Sequence, residues 1–235
     1  NFLNSCDGYF IKIKITKVNI IRKLPCISFL NVDGIRTWTN NPNDYIYIGK
    51  IGLEDLIKFH DIKYDIIDGY YYSDGRNENL SKTIESLFNK RLVAKENDNK
   101  IEQVYKLIMN SSYGKTLLKP FLNISKFKNQ NDIDDFIDKN YNMIKYYQEI
   151  QSDDDFIKYK VTLENSINEH FNNAHCGCEV LEMSKRIMNE VVCLAEDLEI
   201  DIYYTDTDSI HIDHNKIDLL EEKYKELYNR DLIGD

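Results

Sequence analysis

Alternation and helical spacing divide the chain into a strand-rich beginning, a helical middle, a polar stretch, and a closing helix, hairpin and helix. From Gly8 to Ile15, the residues Ile11, Ile13 and Ile15 alternate with Lys12 and Lys14, the pattern of a half-buried strand with one wet basic face. The turn cluster Asn40-Asn41-Pro42-Asn43-Asp44 precedes a short strand from Tyr45 to Ile48. Leu53 to His60 reads as a helix with Glu54 and Asp55 in its first turn, where acidic groups suit the helix dipole. Tyr64 to Tyr72 is a further strand, closed by Ser73-Asp74-Gly75. Together these predict a small sheet with one helix.

Ser81 can cap a helix running to about Lys95, with Ile84, Leu87, Phe88 and Leu92 as its buried stripe. Asn97-Asp98-Asn99 breaks it, and a second helix is predicted from about Lys100 to Tyr113, stopping at Gly114. The connection is short enough for a helical hairpin. At about 100° per residue, Lys106, Asn110 and Tyr113 project from one face within roughly 60° of each other, opposite Ile101, Val104 and Ile108. A Lys meets a triphosphate as a point charge, and a Tyr can stack on a base or wall off a sugar. An exposed face with an incidental Tyr carries the same letters. Asn123 to Asn173 is polar, acidic and aromatic, includes Asp132-Ile133-Asp134-Asp135 and Asp153-Asp154-Asp155, and reads as an insertion with some local structure.

Glu179 to Leu198 is the longest helical pattern, with Leu181, Ser184, Ile187, Met188, Val191 and Ala195 on one side. It feeds into Ile202 to Ile212, where Ile200, Ile202 and Tyr204 alternate on the way in and Ile210 and Ile212 on the way out. Asp206-Thr207-Asp208 then forms the tip, with alternation placing both carboxylates on one side of the ribbon. Carboxylates held that close repel, and a divalent cation relieves the repulsion; oxygen ligands without His or Cys favour Mg²⁺ or Mn²⁺. A solvated turn uses the same residues for their turn chemistry. An aspartic protease needs Gly where Asp208 stands, and an EF-hand loop begun at Asp206 meets His211 and Ile217 where Gly and Glu belong. A glycosyltransferase Asp-x-Asp on Mn²⁺ survives that comparison. Leu219 to Tyr228 is a last amphipathic helix.

At 235 residues and 42% hydrophobic, the chain is long enough to bury a sizeable core as one large or two small domains. No apolar run approaches the length of a membrane span, so no membrane partner is expected. Five scattered cysteines, Cys6, Cys26, Cys176, Cys178 and Cys193, predict reduced thiols and an intracellular setting. His175-Cys176-Gly177-Cys178 resembles half of a zinc site with no second pair, so a turn or packing role is expected. The opening Asn, with no signal-like segment after it, predicts an internal piece of something longer. A net charge of −10 argues against nucleic acid, but the charge is uneven. Gln103 to Asn131 holds Lys106, Lys115, Lys119, Lys126 and Lys128 without one acidic residue, and Gly8 to Asn31 holds Lys12, Lys14, Lys17, Arg22 and Lys23 likewise. Such islands suit phosphate contacts, as they also suit plain solvated faces.

Two of these stretches together resemble family B DNA polymerases, especially the protein-primed viral and plasmid branch. Tyr204 to Ser209 matches the palm motif Tyr-x-Asp-Thr-Asp-Ser in full, and Lys106, Asn110, Ser111, Tyr113 and Gly114 match the fingers motif Lys-x-x-x-Asn-Ser-x-Tyr-Gly. The resemblance implies an α+β chain, a palm sheet with a helical-hairpin fingers subdomain. Its parts would be a palm-adjacent α/β region over 1–78, fingers over 79–118, an insertion like the branch's second terminal-protein region over 119–175, and palm with the catalytic hairpin over 176–235. It implies nucleotidyl transfer from a dNTP to a primer 3′-hydroxyl, with two Mg²⁺ ions about 4 Å apart, replaceable by Mn²⁺, held by Asp208 and an Asp of the first palm motif with Asp206 beside them. Lys106 would clamp the triphosphate, with Lys95 as a second candidate, and Asn110 and Tyr113 would line the nucleotide pocket. Gly114, Lys115, Tyr204 and Ser209 would contact DNA. The implied partners are primer-template DNA, dNTPs and a terminal-protein primer, at a viral replication site or with a cytoplasmic or organellar plasmid. The family's first palm motif, a pattern like Asp-x-x-Ser-Leu-Tyr-Pro with another metal-binding Asp, does not occur here; Asn4-Ser5-Cys6-Asp7-Gly8 is not it. The resemblance puts that motif and the exonuclease domain upstream of Asn1 and the thumb after Asp235, so this stretch alone is expected to be inactive. A non-catalytic polymerase remnant that only binds nucleic acid is the other outcome.

Overall fold

The computed structural model describes residues 2–42, 45–73, 75, 78–119, 123–151, 157–164 and 173–233. Asn43, Asp44 and Asp74 of the expected turns and Asp153-Asp154-Asp155 of the insertion lie outside them. The chain divides into two compact units, residues 1–87 with 178–235, and residues 88–177.

The first unit opens with strand β1 (Gly8–Val18), a short hairpin of β2 (Ser28–Leu30) and β3 (Arg36–Trp38), then β4 (Ile46–Gly49), helix α1 (Lys50–His60) and β5 (Ile62–Tyr72). β1 is the centre of an antiparallel sheet ordered β4-β1-β5. The expected alternation is realised: Ile11, Ile13 and Ile15 are buried while Lys14 faces water. These isoleucines pack with Tyr9, Ile27 and Ile46 against Leu53 and Leu56 of α1. Burying such a side chain contributes about 1.5–3 kcal/mol, which makes this cluster the main source of cohesion for the sheet.

α1 begins three residues earlier than its letters suggest, at Lys50, so Glu54 and Asp55 lie past its first turn. Its N-terminus has no capping side chain of its own. The role passes to Glu182 of helix α5 (Ala174–Asp197), whose carboxylate accepts from the Gly49 N–H at 2.8 Å and the Gly52 N–H at 3.3 Å. A side chain at Gly49 would collide with that carboxylate, so glycine is what lets the two approach. Arg186, one turn along α5, donates to Asp55 at 2.6 Å, to Glu54 at 2.8 Å and to the Ile51 carbonyl at 2.7 Å. Asn189 completes Asp55 at 3.1 Å. The N-terminal half of α5 therefore meets α1 through polar residues, and Leu181 and Ile187 of the expected apolar stripe are exposed. Only Val191 and Ala195 of that stripe are buried.

Arg22 belongs to the first basic island but is not a phosphate-facing group: it is buried and donates to the Phe59 and Cys193 carbonyls and to Asp197. Lys12 lies over the rings of Tyr45 and Tyr47, and the Lys23 amide donates to Glu196. Part of this island is spent on internal contacts, which one-dimensional charge counting has no means to see.

The second unit takes the end of helix α2 (Glu78–Glu96), helix α3 (Ile101–Thr116), and then β6 (Asn123–Asn129), α4 (Ile133–Asn140), β7 (Ile144–Gln151) and β8 (Ile157–Glu164). The expected insertion is thus an antiparallel sheet ordered β6-β8-β7. Val161 and Leu163 of its central strand pack on Ile133 and Phe136 of α4. Gly177, from the Cys-Gly-Cys sequence, lies in the first turn of α5, where a side chain would run into Thr116 and Leu117. That is a packing role, and among the described residues no group of three or more His, Cys, Asp or Glu could hold a metal ion.

Candidate active site

The two-carboxylate sequence folds as a hairpin of β9 (Ile202–Asp206) and β10 (Ser209–Ile212) in the first unit. Asp206 ends one strand opposite Ser209, and Thr207 and Asp208 make the turn. Thr207 sits at φ +46°, in the left-handed region that a β-branched residue rarely enters. Such a conformation costs about 1–3 kcal/mol and persists where surrounding structure demands it. Local bonds secure it: the Thr207 hydroxyl donates to Asp206 Oδ1 at 3.0 Å, and the Ser209 hydroxyl to the Asp206 carbonyl at 3.0 Å. Both carboxylates are exposed, and no ion pair among the described residues neutralises either.

The alternation expected through this hairpin is interrupted. Tyr204 pairs with His211, but the next pair is Ile202 with Ile212, so the register slips by one residue. A one-residue slip sends neighbouring side chains to opposite faces. Tyr204 therefore stands on the wet face, edge-on to His211 with ring centres 5.3 Å apart, and Asp206 shares that face. Asp208 is in the turn, where strand alternation does not set its direction.

The other face of the hairpin is anchored. Ile202, Ile210 and Ile212 pack on a core of Val191, Leu194, Ala195 and Ile200 with Leu220 and Tyr224 of the closing helix α6 (Ile217–Tyr228). Beneath it Glu190 is buried and accepts from the Tyr224 hydroxyl at 3.1 Å and from Arg230. Periodicity identified the helices but not this lock, because an acidic residue on the inner side of α5 reads as solvent-facing until its partners are known.

Lys106, Asn110 and Tyr113 lie on α3 of the second unit, with Lys106 and Asn110 exposed and Tyr113 half-buried. Lys95 is in the last turn of α2, and Asn97-Asp98-Asn99 is the break between the helices, with Asp98 left-handed at φ +49°. Across that break Arg91 pairs with Glu102 at 3.2 Å. α3 does not stop at Gly114 but runs on to Thr116, so Gly114 and Lys115 are helical and exposed. No residue of α3 is buried: Ile101, Val104 and Ile108, on the side opposite Lys106 and Asn110, are exposed as those two are.

A family model described as "DNA polymerase type B, organellar and viral" matches residues 2–225. The chain belongs to that family. The match spans both units, from before β1 into α6, and it is to a polymerase family rather than to a glycosyltransferase. Comparison with curated proteins found no match, and comparison with solved structures found none. Primer-template DNA and dNTPs are the partners that membership implies. No helix among the described residues is long and apolar enough to cross a membrane.

Proposed function

We propose that this chain contributes to templated DNA synthesis by a two-metal mechanism, within a palm-and-fingers arrangement. The observation that carries the reading is the hairpin: two exposed, unneutralised carboxylates flank a residue in a strained left-handed conformation, on a strand pair anchored in a buried core. A solvated turn has no need of a left-handed Thr where Gly or Asn would serve without strain. The donor set is oxygen only and suits a hard divalent cation, so Asp206 and Asp208 are the residues that would hold Mg²⁺, or Mn²⁺ in its place. When bound, such ions supply activation of the primer hydroxyl and neutralisation of charge on the pyrophosphate.

The remaining work falls to side chains of this chain. Lys106 holds the triphosphate by charge-assisted hydrogen bonds, with Lys95 as a second cation, while Asn110 and Tyr113 orient the sugar and base of the incoming nucleotide. Gly114, Lys115, Tyr204 and Ser209 border the primer-template. A terminal protein as primer belongs to the same reading through the protein-primed branch.

Mn²⁺ binding to the purified chain, read by the loss of free-ion paramagnetic signal, tests the site without requiring turnover. The expected result is saturable binding that weakens at least tenfold in Asp208→Asn and in the Asp206→Asn, Asp208→Asn double variant. Unchanged Mn²⁺ binding in the double variant would overturn the metal assignment. Metal binding without nucleotide incorporation, in a polymerase that also carries the first palm motif, would select the non-catalytic remnant.

A further inference from the structure

Cys26 and Cys193 come from sequence positions far apart, and their sulfurs stand 3.7 Å from each other inside the first unit. Cys26 lies in the segment between β1 and β2, and Cys193 in the last two turns of α5. We propose that they are a dithiol that a small hydroperoxide converts to a disulfide, tying the first segment to the helix that leads into the carboxylate hairpin.

Three features distinguish the pair from ordinary core packing. The first is distance: a disulfide needs about 2.05 Å between sulfurs, so closure asks for roughly 1.7 Å of combined movement, within reach of side-chain rotation and a small shift of the segment. The second is access. Cys26 is half-buried and borders a cleft of about 90 Å³ that is also lined by Ser28, Arg36, Asp55, Glu182 and Asn189, with room for a hydroperoxide. Cys193 is fully buried and does not border it. The third is electrostatics. With the Cys193 thiol as the donor between the two sulfurs, the Cys26 thiol is pulled below its ordinary pKa and the proton is held on Cys193. The Cys193 backbone carbonyl meanwhile accepts from the Arg22 guanidinium. His60 is held in one tautomer, because its Nε2 accepts from the Cys26 N–H while its Nδ1–H donates to the Ile20 carbonyl, both at 3.0 Å. One sulfur is thus placed to attack from the cleft, and a buried thiol stands behind it.

In the first step the Cys26 thiolate attacks one peroxide oxygen. An S–O bond forms, the O–O bond breaks, and the leaving hydroxide or alkoxide takes up a proton, giving a sulfenic acid. In the second step the Cys193 sulfur attacks the Cys26 sulfur, the S–O bond breaks, and hydroxide leaves with the Cys193 proton as water. Two electrons pass from the thiols to the peroxide. The inference does not depend on the polymerase reading.

The test is titration of the purified chain with hydrogen peroxide, followed by alkylation and peptide mass mapping. The expected product has lost two hydrogens, yields one linked peptide pair joining Cys26 to Cys193, melts on the order of 5–10 °C higher, and returns to the thiol form with dithiothreitol. In Cys26→Ser, which changes a half-buried position, Cys193 should stay a free thiol at the same dose. Cys193→Ser should leave Cys26 as sulfenic acid, trapped by dimedone; if that variant does not fold, the Cys26→Ser comparison decides. Peroxide doses that oxidise Cys176 or Cys178 without producing the Cys26–Cys193 link would overturn the proposal, as would equal oxidation of Cys193 in Cys26→Ser.

Discussion

The β9-β10 hairpin and helix α3 carry the two groups of candidate residues, and they are built in opposite ways. The hairpin is short, yet one of its faces is seated in a core closed by α5 and α6 and locked beneath by Glu190. α3 has 16 residues against five and four in the two strands, yet none of its residues is buried. The contrast fits two different tasks. Carboxylates that share a hard cation need fixed positions, and rigidity comes from buried supports. A cation that meets a mobile triphosphate as a point charge tolerates a less constrained helix, because its long side chain finds the phosphate by itself. Regions with few buried apolar contacts also open at lower free energy than the core.

The largest expected effect attacks the rigid side. Asp208→Asn keeps the size of the side chain but removes charge, so single-turnover incorporation, in a polymerase that also carries the first palm motif, should fall by about 10²–10³-fold or more. Primer-template affinity and melting temperature should stay close to wild type, and Asp206→Asn should follow with a smaller loss. Near-wild-type incorporation by Asp208→Asn would end the claim that the hairpin is the metal site.

The second effect sharpens the comparison in stability. Leu220→Ala empties a fully buried position under the hairpin and should cost about 2–5 kcal/mol, whereas Ile108→Ala on exposed α3 should cost no more than about 1 kcal/mol. Urea unfolding of both variants checks it; equal losses would mean that α3 is buried against something else in solution.

Lys106→Ala comes next. Losing a charge-assisted phosphate contact costs on the order of 1.5–3 kcal/mol, so nucleotide affinity should drop by about one to two decades while DNA affinity holds. If gel-shift affinity collapses and the nucleotide KM does not move, Lys106 contacts DNA instead.

The smallest effect concerns the Glu182 bracket between α5 and α1. Burial raises the pKa of Glu182 despite the two N–H donors, and burial raises that of Asp55 despite Asn189 and Arg186. A carboxyl whose folded pKa exceeds its unfolded one keeps its proton longer in the fold. Its contribution to stability is therefore greatest in acid and declines as pH rises from the ordinary carboxylate range through the raised folded value. Glu182→Gln should flatten that decline, reducing the change in melting temperature between pH 4 and pH 7 by about 2 °C. A steeper decline in the variant would contradict the assigned sign.

The amino-acid sequence by itself determined the family and most of the elements outside Ser28–Trp38 and 123–164. The Ile alternation of β1, the existence of α1, α2, α3, α5 and α6, and both motif-bearing stretches were legible because each depends on neighbours within a few positions, although Phe88 and Leu92 of the stripe expected to be buried on α2 are exposed. Tertiary structure decided which polar residues are internal. Arg22 looked like a basic surface group and proved buried, Glu182 proved to serve the start of another helix, and half of the α5 apolar stripe proved exposed. It also decided the slip that turns Tyr204 to the wet face, the strain at Thr207, the run of α3 through Gly114, and the meeting of Cys26 with Cys193. The reason is physical. Periodicity records whether a position prefers water, whereas a buried charge such as Arg22 or Glu190 is tolerated only when partners distant in sequence compensate for it, and those partners are chosen by the packing.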